Sequence, residues 1–172
     1  MDENYIAAPL GLINAKDLKP NEIFICRLDY PEFPDHIMGI YIKDNYLVIR
    51  TDFWNLFEKN RNTTQEEFPL DSLRWIIDTM ENRFFKKPAE GGLPESVRRL
   101  DTYVNNELIG INASANCCAE FQPGYEIWNA SRNSYITEIR GQTWPVPTYQ
   151  FTKNGLLDKL KKIADDYEKG FF

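Results

Sequence analysis

Apolar side chains crowd the stretch His36 to Thr51, HIMGIYIKDNYLVIRT, without the strict alternation of a half-exposed strand. Asp44-Asn45 interrupts it, and both residue types tolerate the positive φ angles of a two-residue hairpin turn. Closing the turn there pairs Lys43 with Tyr46, Ile42 with Leu47, Tyr41 with Val48 and Ile40 with Ile49. One face of the hairpin then carries Met38, Ile40, Ile42, Leu47 and Ile49. The other carries Gly39, Tyr41, Val48 and Arg50. Apolar residues on both faces predict a central strand pair covered on both sides. Burying each aliphatic side chain contributes roughly 1.5–3 kcal/mol, so this cluster is the expected core nucleus.

The remaining patterns are weaker. Residues 1–21 read as an irregular arm, with Leu10, Leu12 and Ile13 tucked against the body. Glu22 to Leu28 reads as a strand. Asp29 to Asp35, DYPEFPD, is a loop stiffened by two prolines. Asp52 to Lys59 suits a short helix or an extension of the preceding strand, and Asn60 to Glu67 a polar loop. Leu70, Leu73, Ile77, Met80 and Phe84 recur at steps of three and four, which predicts a helix over 70–86 stopped by Pro88. Ala89 to Leu93 is a flexible connection. Val97, Leu100, Val104 and Leu108 suggest a helix over 94–108, followed by a strand from Ile109 to Asn116. A second hairpin is expected over 125–140. A two-residue loop would set Ile127 opposite Glu138, and a three-residue loop would set Trp128 opposite Ile136. Gly141 to Pro147 reads as a rigid loop and Thr148 to Thr152 as a short strand. A last helix over 154–169 is capped by Asn154.

Strands cluster with strands in this order. The expected fold class is therefore α+β, a single domain over 1–172. It has a largely antiparallel sheet built on the hairpins 36–51 and 125–140. About three helices (70–86, 94–108 and 154–169) pack on it. No internal repeat is visible.

Charge changes the picture of partners. The net charge is −6, and residues 1–86 hold 15 acids against 10 bases. An acidic balance speaks against nucleic acid and against anionic membrane, and it allows a basic protein partner. No run approaches a membrane span. The acidic first residues do not resemble a signal peptide. The cysteines, Cys26, Cys117 and Cys118, are odd in number and not spaced as a framework, so reduced thiols in the cytoplasm are expected.

Candidate chemistry is sparse. One histidine, and no pair of ligands at C-x-x-C or H-x-x-x-H spacing, leaves neither metal nor cofactor expected. Glu90-Gly91-Gly92 lacks the surroundings of a phosphate loop. The sharpest enzymatic reading is a cysteine-dependent hydrolase or transferase. Cys118 or Cys117 would be its nucleophile, His36 its base, and a carboxylate or amide such as Asp35 or Asn116 the orienting group. The alternative is binding. Tyr30, Phe33 and Trp144 stand on proline-stiffened segments beside Asp29, Glu32 and Asp35, and aromatic anchors with acidic flanks suit a basic partner. The leading expectation is a small binding protein of the immunity type, which neutralises a basic toxin such as a nuclease by masking its surface. That expectation is an analogy from size, acidity and missing catalytic motifs.

Overall fold

The computed structural model describes residues 5–137 and 140–172. The first half is an antiparallel meander of β1 (Glu22–Leu28), β2 (Ile37–Lys43), β3 (Tyr46–Asn55) and β4 (Asn60–Pro69). The expected hairpin is its centre. Asp44 takes the left-handed conformation (φ 52°), and Ile40 faces Ile49, Tyr41 faces Val48 and Ile42 faces Leu47. Both faces are covered. Ile40, Ile42, Leu47 and Ile49 enter the main core, while Tyr41 and Val48 are covered by Ile13 of the arm. Arg50 Nε donates to the Ile13 carbonyl (2.8 Å), and Ile13 N–H donates to Gln65 Oε1 (3.0 Å). Leu12, expected to tuck in, is exposed. Residues 1–4 of the arm lie outside the described residues.

The polar run 60–67 is strand β4 rather than a loop. It pairs with β3 along its whole length, from Asn55–Asn60 to Tyr46–Pro69. An edge strand with one partner tolerates polar side chains. The expected helix over 70–86 is present in three geometries. A 3₁₀ turn (Leu70–Ser72) leads into α1 (Leu73–Thr79), and a π-turn (Met80–Phe84) ends it, with Phe85 N–H bonded to the Met80 carbonyl.

The second half departs further from expectation. Residues 94–108 are not a helix. They contribute β5 (Arg99–Val104) and the start of β6 (Glu107–Ser114). Asn105 and Asn106, both at positive φ (51° and 67°), close a tight hairpin between them. The stripe at Val97, Leu100, Val104 and Leu108 fits a helix, but turn chemistry and cross-strand pairing decide the outcome. β7 (Gly124–Asn133) and β8 (Arg140–Pro147) complete a second meander. Ile127 pairs with Trp144 and Trp128 with Thr143, so neither expected register holds. Ile136 sits in the connecting loop, and Glu138 lies outside the described residues. The expected rigid loop 141–147 is thus an edge strand, where Pro145 and Pro147 are tolerated because no inner partner needs their N–H. Thr148–Thr152 is a short helix, α2, instead of a strand. The last helix is α3 (Leu156–Glu168), preceded by Gly155 in the left-handed region (φ 66°), and Asn154 donates to Gln150 instead of capping it.

Each half therefore follows one plan, a four-stranded antiparallel meander and then a helix. The α+β class holds, with two sheets in place of one. The inner faces of both sheets and the helices share one core, in which Trp144 and Phe68 are the largest fully buried side chains. Ile49→Ala should lower the urea-unfolding free energy by about 2–5 kcal/mol, as buried aliphatic truncations do. A loss under about 1 kcal/mol would show that the hairpin is peripheral to the core.

Candidate functional site

Where the two sheets meet, β4 lies against β7 and β8. At Glu67 the free edge of β4 is satisfied by side-chain amides of the second sheet. Glu67 N–H donates to Gln142 Oε1 (2.7 Å), and the Glu67 carbonyl accepts from Asn129 Nδ2 (2.9 Å). The same strand turns the Glu67 carboxylate inward, where it has no solvent exposure (0%). Arg132 bridges it to Glu107. One terminal nitrogen bonds Glu67 Oε2 at 2.6 Å, while Nε and the other terminal nitrogen hold both oxygens of Glu107 at 2.7 and 2.8 Å. Asn129 Nδ2 (2.6 Å) and Tyr46 Oη (2.7 Å) also donate to Glu107, and Gln65 and Tyr135 donate to Glu67. The Arg132 guanidinium lies over the Tyr46 ring, 4.3 Å from its centre. Burial opposes ionisation of Glu107, but the bonds from Arg132, Asn129 and Tyr46 outweigh it and hold the carboxyl below its usual range. Every group in this network is committed to another, so it clamps the halves together and has no free valence for chemistry. On the opposite face of β4, Glu66 is half-buried beside Ile49; desolvation pushes its carboxyl up to about 8.

The Asp29–Asp35 loop crosses to the second half. Tyr30 is buried; its hydroxyl donates to the Pro145 carbonyl (2.9 Å) and accepts from Trp144 Nε1 (3.2 Å). Glu32 accepts from Tyr149 Oη (2.7 Å) and from Gln122 Nε2. Burial would raise the Glu32 carboxyl, but these two bonds hold it below the usual range. Phe33 is half-buried, stacked on His36 with ring centres 4.8 Å apart. Two of the expected partner contacts, Tyr30 and Trp144, are therefore core residues, because their polar tips satisfy each other and the backbone inside. Glu32 is engaged internally. Asp29 and Asp35 remain exposed, with Asp29 in an ion pair with Arg27 (3.1 Å).

The expected nucleophile and base have separate surroundings. Cys118 lies beside Cys117. Its thiol is pushed strongly up by its hydrogen bond to Cys117 and by burial. The Cys117 thiol is drawn down by the bond from Cys118, and its Sγ donates to the Tyr125 carbonyl (3.3 Å). His36 lies between the rings of Phe33 and Phe53, its Nδ1 buried without a partner. Burial lowers its pKa, against the pull of Asp35. No hydrogen bond joins His36 to either cysteine among the described residues.

One surface feature escaped the sequence reading. The β3–β4 hairpin ends in a finger whose tip carries Phe57 (97% exposed), Leu56 (77%) and Trp54 (44%). Asn55 Oδ1 accepts from the N–H groups of Phe57 (3.0 Å) and Glu58 (3.1 Å), and Lys59 adopts φ 52°, so the tip is held in shape. The finger rises beside the Asp29–Asp35 loop, because Ile37, just after that loop, pairs with Asp52, and His36 meets the Phe53 ring at 5.5 Å. The signal was the apolar cluster in DFWNLF, which suits a buried helix equally well. Among the described residues, no group of three or more His, Cys, Asp or Glu side chains is placed to hold a metal ion, and no helix is long and apolar enough to cross a membrane. No protein-family model matches the chain, and no match is found among curated proteins.

Proposed function

We propose that this chain is a binding protein of the immunity type. It engages a basic protein, such as a toxin nuclease, through the end of the β1–β4 sheet that carries the finger and the Asp29–Asp35 loop. The observation that carries this reading is the finger itself. Large apolar side chains held in solvent stay unfavourably hydrated until a partner covers them, and pre-ordering lowers the entropy lost on binding. The net charge of −6 and the exposed Asp29 and Asp35 supply attraction for a basic surface. The three cysteines are free thiols, in keeping with a reducing compartment such as the cytoplasm. The cysteine-hydrolase alternative has less support, since the Cys118 thiol resists ionisation. The Cys117 thiol is drawn down, but its Sγ bonds the Tyr125 carbonyl, while the His36 ring is stacked on Phe33 with no hydrogen bond to either cysteine among the described residues.

Affinity capture from the native host, followed by surface plasmon resonance on the captured protein, tests this. Leu56→Ser with Phe57→Ser should speed dissociation and weaken binding by about 2 kcal/mol or more, with unchanged melting. Asp29→Asn with Asp35→Asn should slow association and flatten its salt dependence. Undiminished binding by the finger variant would sink the proposal, as would a captured partner that is acidic.

A further inference from the structure

A second surface feature lies beyond the C-terminal end of α1. The π-turn ends at Phe84, and the chain then doubles back so tightly that Leu93 N–H donates to the Arg83 carbonyl (2.9 Å). Only glycine fits at position 92 of that return, since a Cβ there would sit 1.9 Å from the Lys86 carbonyl oxygen. A further bond, Ala113 N–H to the Arg98 carbonyl (2.8 Å), draws Arg98 to the end of β6. These constraints enclose a groove of about 320 Å³. Arg83, Lys86 and Arg98 line it, and their side chains make no hydrogen bond or ion pair among the described residues. Phe84, Leu93 and Val97 form an apolar wall, and small residues at 113–115 leave the floor open. Glu95 also lines the groove, so two of the three positive charges there remain without a local counter-charge.

In a chain of net charge −6 such a concentration of unneutralised cations is contrary to the overall balance. Two guanidinium groups offer planar, paired donors that match carboxylate and phosphate oxygens, and the lysine adds a mobile third charge. The apolar wall beside them suits the body of a molecule that carries such a group. The volume falls at the lower end of small-ligand pockets, roughly 300–1,000 Å³. We propose that the groove between the π-turn, the 85–98 segment and the end of β6 binds a small organic oxyanion, a carboxylate or phosphate borne on an apolar body. The site is separate from the finger and does not rest on the binding role assigned to it.

The test is a titration of the ¹⁵N-labelled full chain, followed by amide chemical shifts, with phenyl phosphate, benzoate and uncharged benzyl alcohol as probes. Saturable shifts confined to residues 83–98 and 113–115 are expected with at least one of the two anions. Tighter binding of phenyl phosphate assigns the site to phosphate ligands, and tighter binding of benzoate to carboxylates. Arg83→Glu with Arg98→Glu should weaken the better anion at least about tenfold, a difference of about 1.4 kcal/mol. Both side chains are exposed, so the variant should fold, and its unchanged spectrum elsewhere confirms this. The proposal fails if neither anion saturates below about 10 mM. It fails equally if the charge-reversed variant binds as well, or if benzyl alcohol gives the same shifts.

Discussion

Arg132→Ala should cost about 3–5 kcal/mol, because it strands the carboxylates of Glu67 and Glu107 in the interior without their counter-charge. Single domains are stable by only about 5–15 kcal/mol, so this one change removes a large share. In a chain of this size the melting temperature should fall by roughly 6–20 °C. Calorimetry or urea titration at pH 7 gives the number. The pH dependence identifies the cause. In the wild-type protein Glu107 has a folded pKa below its ordinary value of 4.5, so its contribution is present above about pH 4.5 and is lost as the pH falls through the lower folded value. In the variant, burial without the cation raises the Glu107 carboxyl pKa, so the folded state gains relative stability as acid neutralises it. The gap between the two proteins should therefore narrow from pH 7 towards pH 4. A gap that is constant with pH would mean that Arg132 acts by packing against Tyr46, where its guanidinium lies 4.3 Å from the ring centre, and not by its charge.

Trp144→Ala should be nearly as severe, at about 3–5 kcal/mol, since it empties the space of the largest fully buried side chain. The ring packs against Phe68, with centres 6.4 Å apart, and its N–H donates to Tyr30. Trp144→Phe keeps most of the volume and loses that hydrogen bond, so a smaller loss of about 1–3 kcal/mol is expected. Thermal melts separate the two variants. Once the fraction folded is matched, neither should alter the rate at which a partner dissociates, because Trp144 does not reach the surface. Faster dissociation at equal stability would return Trp144 to the interface and contradict its burial. Phe57, by contrast, should affect dissociation and leave the melt unchanged. The pair of measurements thus assigns one aromatic to the core and the other to the surface.

The sequence by itself determined the elements whose cause is local. The 36–51 hairpin was legible to the residue, because a turn at Asp44 and two apolar runs lie within a few positions of each other. The helices at 70–84 and 156–168 were legible from their period. The Asn105-Asn106 turn carried the same kind of signal, but an apolar stripe of helical spacing competed with it, and cross-strand pairing settled the conflict. What only the tertiary structure decided depends on partners far apart in the chain. Arg132 is 25 residues from Glu107 and 65 from Glu67, and each of the three, met singly in a strand, has the pattern of a solvated side chain. Their burial becomes favourable only when two sheets bring opposite charges within hydrogen-bond reach and satisfy the edge of β4 with Asn129 and Gln142. The same reason hid the two roles of the aromatics. Whether Trp144 is covered and Phe57 is bare depends on which strand folds over each, and local pattern contains no term for that.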